Sequence, residues 1–394
     1  MLAQIRDLQK IILSKVKTKY KRYFYHQIDF GQMTGIVGAR GVGKTTFLLQ
    51  YLKESKLSFS KKLYVSADSI RIESLFDLAL AFQKEGGKLL IIDEIHKYQN
   101  FEMELKKIYD FLELQVIFSG SSALKIDQSK ADLSRRATIY EVEGMSFREF
   151  MELKNNISLP TLSLNDILNN HVDIAYELTE KVDLLTEFKE YLQYGYYPFY
   201  FEKKAHYPLK LSETINTVIE VDIPSIFPIE YQNISNLKKL ITLICKSNPF
   251  TPNIKELLGK MSLGEDYRTL YRYLHYLDRA KILKIIRPES KGDNIFTKPE
   301  KIYLHNPNLH YAYCNEPHIG TIREVFFRSM LFGEKLSLPK KGDFLVNEKY
   351  LFEVGGKNKS FKQIKDIPHS FVVADDIEIG SGNKIPLWLF GFLY

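Results

Sequence analysis

The chain is poor in the features that would set it apart from ordinary folded proteins. Among its 394 residues there are two cysteines, Cys245 and Cys314, far apart and without metal-type neighbours. That argues against a disulfide framework or a zinc site and fits a reducing cytoplasm. No stretch approaches the roughly 18 consecutive apolar residues that a membrane span needs. The N-terminus scatters charges among Ile5, Leu8, Ile11, Ile12 and Val16 and lacks the apolar core of a signal peptide. Repeats, low-complexity segments and covalent-nucleophile arrangements are missing too, which leaves no sign of another enzyme class. Neither charge sign dominates: 55 basic against 48 acidic residues leave +7, which permits a nucleic-acid partner without demanding one.

What is present is the composition of a folded protein, 45% hydrophobic and 26% charged, with length for two to four domains. Tyrosine (25) and phenylalanine (26) are abundant, so aromatic clusters are not read as stacking platforms.

The organising stretch is Gly38-Ala39-Arg40-Gly41-Val42-Gly43-Lys44-Thr45-Thr46, directly after the apolar run Met33–Val37. It matches G-x-x-x-x-G-K-[ST] in the required place, between a buried strand and an amphipathic helix over 45–53. Glycines at 38, 41 and 43 let the backbone turn its amides inward as a nest for phosphate oxygens. The helix that follows adds the positive end of its dipole. In this pattern Lys44 reaches the β- and γ-phosphates and the Thr45 hydroxyl holds Mg²⁺. Arg40, Val42 and Thr46 complete the phosphate-binding stretch.

Residues 33–143 alternate short apolar runs with helical periods, the pattern of a parallel α/β sheet. The runs cover 33–37, 62–67, 88–93, 115–120 and 137–142. The third ends in Leu89-Leu90-Ile91-Ile92-Asp93-Glu94, a Walker B pattern. Asp93 is expected to hold Mg²⁺ through its water shell, and Glu94 to polarise the attacking water as a general base. The fourth ends in Phe118-Ser119-Gly120-Ser121-Ser122, where Ser119, then Ser121, is the candidate for positioning water against the γ-phosphate; turn-capping hydroxyls are the bland alternative. Arg136, before the fifth run, is a candidate arginine finger for its own or a neighbouring subunit's nucleotide, with a surface arginine pair as the alternative.

The order GARGVGKTT, LLIIDEIHKYQNFEMELK, VIFSGSS, LSRRATIYEVEGMSFREF and YLQYGYYPFY resembles the AAA+-like bacterial and archaeal ATPases that carry a C-terminal, nuclease-like domain of unknown function. The likeness covers nearly the whole chain. It implies an AAA+-type core, a helical lid, a winged helix and a C-terminal domain similar to restriction-endonuclease cores. It also implies that Gly38, Gly43, Lys44 and Thr45 bind phosphate and Mg²⁺, that Asp93 and Glu94 serve hydrolysis, and that Arg136 matches the family's arginine. Two departures are visible: Arg135 stands where the family usually has glycine, and Tyr196 follows Gly195 where relatives often have a second glycine. ATP as the nucleotide rests on this resemblance, since no guanine-reading motif follows the loop.

Around this core, 1–30 reads as a basic amphipathic helix and an aromatic segment, with Lys15, Lys17, Lys19, Lys21 and Arg22 as a solvated face or packing arm. Residues 146–225 have helical periodicity and suit a lid. Residues 230–304 read as a winged helix. Its second helix, from Tyr267 to Arg279, buries Leu270, Tyr273, Leu274 and Leu277 and offers Arg268, Arg272 and Arg279 to DNA. Its wing surrounds Glu289–Asn294. In the last segment Glu324, Asp343 and Glu353 resemble the metal-binding carboxylates of PD-(D/E)xK nucleases. The lysine expected two residues after Glu353 is Gly355, the nearest replacement is Lys357, and Gly355-Gly356 suggests a bulge. Gln363 and Lys365 are expected on a helix, and the apolar end 385–394 as a buried final strand or a docking surface.

The expectation is therefore an α/β, AAA+-like P-loop ATPase. The core spans 1–145, the lid 146–229, the winged helix 230–304 and a nuclease-like domain 305–394. Its cofactors are ATP and Mg²⁺, and it acts as a nucleotide-driven switch or machine. Double-stranded DNA through the winged helix and a protein partner are both open. A membrane is not expected, and an oligomer is compatible. The alternatives are an ATP-regulated, metal-dependent nuclease and a nucleotide-dependent interaction module.

Overall fold

Short runs rich in Ile, Val, Leu and Phe have few ways to hide both faces, and a parallel sheet covered by helices is the common one. The computed structural model describes residues 1–69, 72–120, 135–246, 253–261, 263–264, 266–286 and 298–394. It divides into two units, Met1–Gly144 and Met145–Tyr394. In the first, the five expected runs form β1 (Met33–Gly38), β2 (Lys62–Ser66), β3 (Leu89–Asp93), β4 (Gln115–Gly120) and β5 (Thr138–Val142). They pair in parallel in the order β2-β3-β4-β1-β5. The α/β expectation for this unit is therefore met. The core is continuous and includes Val37, Val65, Leu90, Ile92, Val116 and Phe118, with helical partners such as Leu78, Phe82, Leu105 and Ile108.

The helices are α1 (Leu2–Lys15), α2 (Lys44–Glu54), α3 (Leu75–Lys84) and α4 (Phe101–Phe111). Ser74 caps α3 by accepting the Asp77 amide. The α1 helix covers the exposed edge of β2: Gln9, 1% exposed, accepts the Tyr64 amide at 2.7 Å and donates to the Lys62 carbonyl at 3.3 Å. The basic segment after it is not wholly a solvated face. Arg22 is buried and donates to the Val42 carbonyl at 2.7 Å, to Glu143 at 3.1 Å and to Gly144 at 2.7 Å. It ties the phosphate-loop segment to the strand on the other side of β1.

The second unit opens with α5 (Phe147–Asn155), α6 (Leu164–Thr179), α7 (Leu184–Tyr194) and α8 (Tyr207–Thr217). Capping boxes at Ser146–Glu149 and Ser163–Asp166 start the first two. Next come α9 (Ile234–Cys245), α10 (Ile254–Met261), α11 (Tyr267–Arg279) and an antiparallel pair, β6 (Leu283–Ile286) with β7 (Lys301–Leu304). Leu270, Tyr273, Leu274 and Leu277 are buried on α11, while Arg268 and Arg272 are exposed. The expected wing tip, Glu289–Asn294, lies outside the described residues. After α12 (Pro307–Tyr313) and α13 (Ile319–Met330) comes a mixed sheet. It is made of β8 (Leu336–Ser337), β9 (Phe344–Val346), β10 (Tyr350–Gly355), β11 (Ser370–Ala374) and β12 (Lys384–Pro386), ordered β12-β11-β10-β9-β8. The β8–β9 and β9–β10 pairs are antiparallel, and β11 and β12 run parallel to β10.

Four expectations change. The apolar end is buried, but as a 3₁₀ helix over Leu387–Phe392 rather than a strand, because an apolar run does not itself choose between periods. β10 runs through Gly355 in register with Ala374, where a bulge was expected. The helix expected at Gln363–Lys365 is a single 3₁₀ turn, Phe361–Gln363. The two cysteines are not separate: folding brings the end of α9 against the residue after α12, and Cys245 and Cys314 form a disulfide with their Cα atoms 5.2 Å apart. Sequence distance hid this pairing, since the two cysteines are separated by 69 positions.

Closing a loop of that length restricts the unfolded chain, so Cys245→Ala should lower stability by about 2–4 kcal/mol. Urea unfolding with and without reductant checks this. Reductant should shift the wild-type curve to lower urea and leave the variant where it is; a wild-type curve indifferent to reductant contradicts the pairing.

Candidate nucleotide site and C-terminal carboxylate cluster

The phosphate-loop motif sits at the C-terminal end of β1, which lies between β4 and the edge strand β5. Gly41 and Gly43 have φ of 86° and 97°, which L side chains rarely adopt. A Cβ on Gly38 would lie 2.3 Å from the Val142 carbonyl oxygen, so the start of the loop needs glycine for a different reason, close approach. Gly43 opens α2 without a side-chain cap, and Thr45 and Thr46 are exposed in the first helical turn. Lys44 is only 4% exposed; its ammonium donates to the Gly38 carbonyl at 3.0 Å and to Ala39 at 2.8 Å. The positive charge is thereby folded across the loop rather than into solvent. Arg40 lies near Asp68. That carboxyl is held below its ordinary range against the opposing effect of burial, by the Ser66 and Ser69 hydroxyls and the Arg40 charge.

The parallel register brings the other candidates to the same sheet end. Asp93 closes β3, Ser119 lies near the end of β4, and β4 stands between β3 and β1. Asp93 is 2% exposed. Its Oδ1 accepts the Ser119 hydroxyl and its Oδ2 accepts the Tyr64 hydroxyl from β2 at 2.8 Å. Burial first, then the Asp93 charge, pushes the Tyr64 phenol far up, so it stays a donor. The Glu94 amide donates to Ser119 Oγ at 3.1 Å and to Asp93 Oδ1 at 3.2 Å. Glu94 has φ of 53°, which turns its side chain out of the strand. Tyr64 and Arg22 escaped the sequence reading. One looks like another aromatic in a strand and the other like a member of a lysine cluster.

Arg136 is not brought to this end. It precedes β5, whose first residue pairs with Thr34 near the start of β1, while the loop lies beyond Gly38 at the other end. Strands of this length put roughly 13–17 Å between the two ends. Arg136 instead makes a bidentate pair with Asp110 of α4, at 2.8 and 3.0 Å. Ser121 lies outside the described residues.

In the second unit the structure gathers Glu324 of α13, Asp343 before β9 and Glu353 of β10. Glu324 accepts the Tyr303 hydroxyl at 2.5 Å and pairs with Lys301 at 3.0 Å. Asp343 accepts the Val354 amide at 2.8 Å. Glu353, 2% exposed, pairs with Lys359 at 2.6 Å, while its Oε2 has no hydrogen-bond partner. The lysine that reaches Glu353 is therefore Lys359, and not Lys357, the nearest in sequence. A Cβ on Gly355 would meet the Lys359 stem at 2.7–2.9 Å, so that stem fills the space of the absent side chain at 355. Among the described residues no group of three His, Cys, Asp or Glu side chains is arranged to hold a metal ion.

Residues 31–151 match the family model described as an AAA domain, so the core of the first unit is similar to AAA domains. Residues 185–316 match a second, described only as a domain of unknown function; that span runs from α7 past α12 and ends before β8. An uncharacterized protein of Methanocaldococcus jannaschii is 28% identical over 95% of this chain and 88% of its own length. The Thermotoga maritima RuvB Holliday junction branch migration motor aligns over 72% of this chain and 89% of its own, at 17% identity and a TM-score of 0.27. AMPPCP-bound DnaA from Aquifex aeolicus aligns over 71% and 89%, at 14% identity and a TM-score of 0.25. Likeness at those scores carries no weight for fold or activity. No helix among the described residues is long and apolar enough to cross a membrane.

The Asp343 carboxyl is raised from 3.8 to about 6, by burial first and then by the neighbouring Glu324 charge, with Glu353 adding to it. The folded chain thus binds a proton in the window between those values that the unfolded chain has released, and stability falls as pH rises from about 4 to about 6. Asp343→Asn, which keeps an acceptor for Val354, should flatten that fall and raise stability at pH 7 by about 2–3 kcal/mol. Denaturant unfolding across pH 4–7.5 checks it; parallel profiles for the two proteins contradict it.

Proposed function

We propose that the first unit binds ATP with Mg²⁺ and hydrolyses it, and that the protein is a nucleotide-driven switch or machine. The observation that carries this reading is the meeting, at one end of three adjacent strands, of the glycine loop with Lys44, the buried Asp93 and Ser119, and the turned-out Glu94. The loop amides and the start of α2 cradle the phosphates, and Lys44 leaves the Gly38 and Ala39 carbonyls for phosphate oxygens. Asp93 and the Thr45 hydroxyl would hold Mg²⁺, which would supply charge neutralisation to the phosphates. Glu94 accepts the proton of the attacking water, and Ser119 fixes both the Asp93 carboxylate and the Glu94 amide. Arg136, remote from its own chain's loop, is assigned to a neighbouring subunit's nucleotide.

Output is assigned to the second unit. The α11 helix presents Arg268 and Arg272 exposed and one turn apart, a placement that suits phosphates of double-stranded DNA. The carboxylates Glu324, Asp343 and Glu353 are read as an architectural cluster rather than a nuclease centre, because Lys301 and Lys359 already pair with Glu324 and Glu353.

ATP turnover with and without duplex DNA tests this reading. Wild type should hydrolyse ATP, and Lys44→Ala should lose both binding and turnover. Glu94→Gln should keep binding while turnover falls by about 10²-fold or more. Undiminished turnover in Glu94→Gln removes its role as base. Turnover indifferent to DNA moves the output to a protein partner.

A further inference from the structure

Glu94 is followed two residues later by a histidine that none of the nucleotide motifs uses. The turn after β3 holds Glu94 in the left-handed region, φ 53° and ψ 40°, which costs a non-glycine residue about 1–3 kcal/mol unless its surroundings enforce it. Here they do. Lys97 N–H donates to the Glu94 carbonyl and Tyr98 N–H to the Ile95 carbonyl, each at 2.9 Å. Ile95 is wholly buried in the core below, and the Glu94 amide is tied to Ser119 at 3.1 Å. With the backbone fixed on both sides, the ring of His96 folds back toward the preceding carboxylate, and its Nε2 lies 3.4 Å from Glu94 Oε2. His96 is 2% exposed, whereas the Glu94 side chain keeps 17% of its surface. The imidazole is the more deeply buried member of the pair, and the Glu94 oxygen that faces it is buried as well.

We propose that His96 is a positioning residue for Glu94: its ring N–H holds the carboxylate in the orientation that accepts a proton from the attacking water. The assignment rests on Glu94 being the general base, as read above. At 3.4 Å the pair is in ion-pair range but short of a formed hydrogen bond. A small turn of the carboxylate closes it to a charge-assisted bond, among the stronger ones, and a base held in one orientation is productive in more of its conformers than one that rotates freely. The left-handed turn then has a use. It is the conformation that lets residue 96 reach the side chain of residue 94.

The experiment measures kcat and ATP Kd for wild type, Glu94→Gln, His96→Ala and His96→Gln, with melting temperature alongside. His96→Ala should lower kcat about 10–100-fold while Kd stays within about twofold. His96→Gln, which retains an N–H donor, should recover most of that loss. If kcat falls and Kd rises together, or both variants lose activity equally with a lowered melting temperature, His96 only supports the fold and the proposal is overturned. Turnover in His96→Ala at or above the wild-type rate overturns it as well. Failure of the underlying reading looks different: Glu94→Gln then hydrolyses ATP like wild type, and both assignments fall together.

Discussion

A buried carboxylate is costly unless its lone pairs are met, and Asp93, at the end of β3, is the buried carboxylate on which the proposed nucleotide site depends. Two hydroxyls meet it: Ser119 from β4 on one side and Tyr64 from β2 on the other. Those three strands are neighbours only because the sheet is ordered β2-β3-β4-β1-β5. Sheet order, core packing and the placement of one charged group are thus a single constraint. If β4 moved out from between β3 and β1, Ser119 would no longer join the Asp93 end of the sheet to the phosphate-loop end.

The same linkage reaches outward. The Glu94 amide rests on Ser119, the turn it starts carries His96 back to Glu94, and Arg22 holds Val42 of the loop against Glu143 and Gly144. Lys44 spans the loop from below through the Gly38 and Ala39 carbonyls. Apart from the His96–Glu94 contact, an ion-pair approach of 3.4 Å, each link is a hydrogen bond from or to a side chain. Each connects segments that apolar packing alone would leave free to slide.

The parts of this arrangement that are local patterns are legible in the sequence. The apolar runs, the glycine spacing before Lys44 and the acidic end of β3 each declare themselves within a dozen residues, and the parallel α/β core follows from their alternation. Contacts that need two distant segments to meet are not legible. Tyr64 reads as an ordinary strand aromatic until β2 is known to lie beside β3. Cys245 and Cys314 read as separate thiols until α9 and α12 are packed. Lys359 is not legible because Lys357 is nearer in sequence, whereas the side chain that fills the space at Gly355 comes from four residues on. The apolar end of the chain announces burial correctly but not the period in which it is buried, since Leu387–Phe392 is hydrophobic on every face.

The central claim is that Asp93 and the loop act on one magnesium-bound nucleotide. Calorimetric titration of ATP into wild type and Asp93→Asn, each in Mg²⁺ and in EDTA, tests it directly. The account predicts that Mg²⁺ tightens ATP binding in wild type by about tenfold or more, on the order of 1.4 kcal/mol, and that Asp93→Asn loses most of that gain. Equal affinities in Mg²⁺ and EDTA for the wild-type protein, or an undiminished magnesium effect in Asp93→Asn, would contradict it.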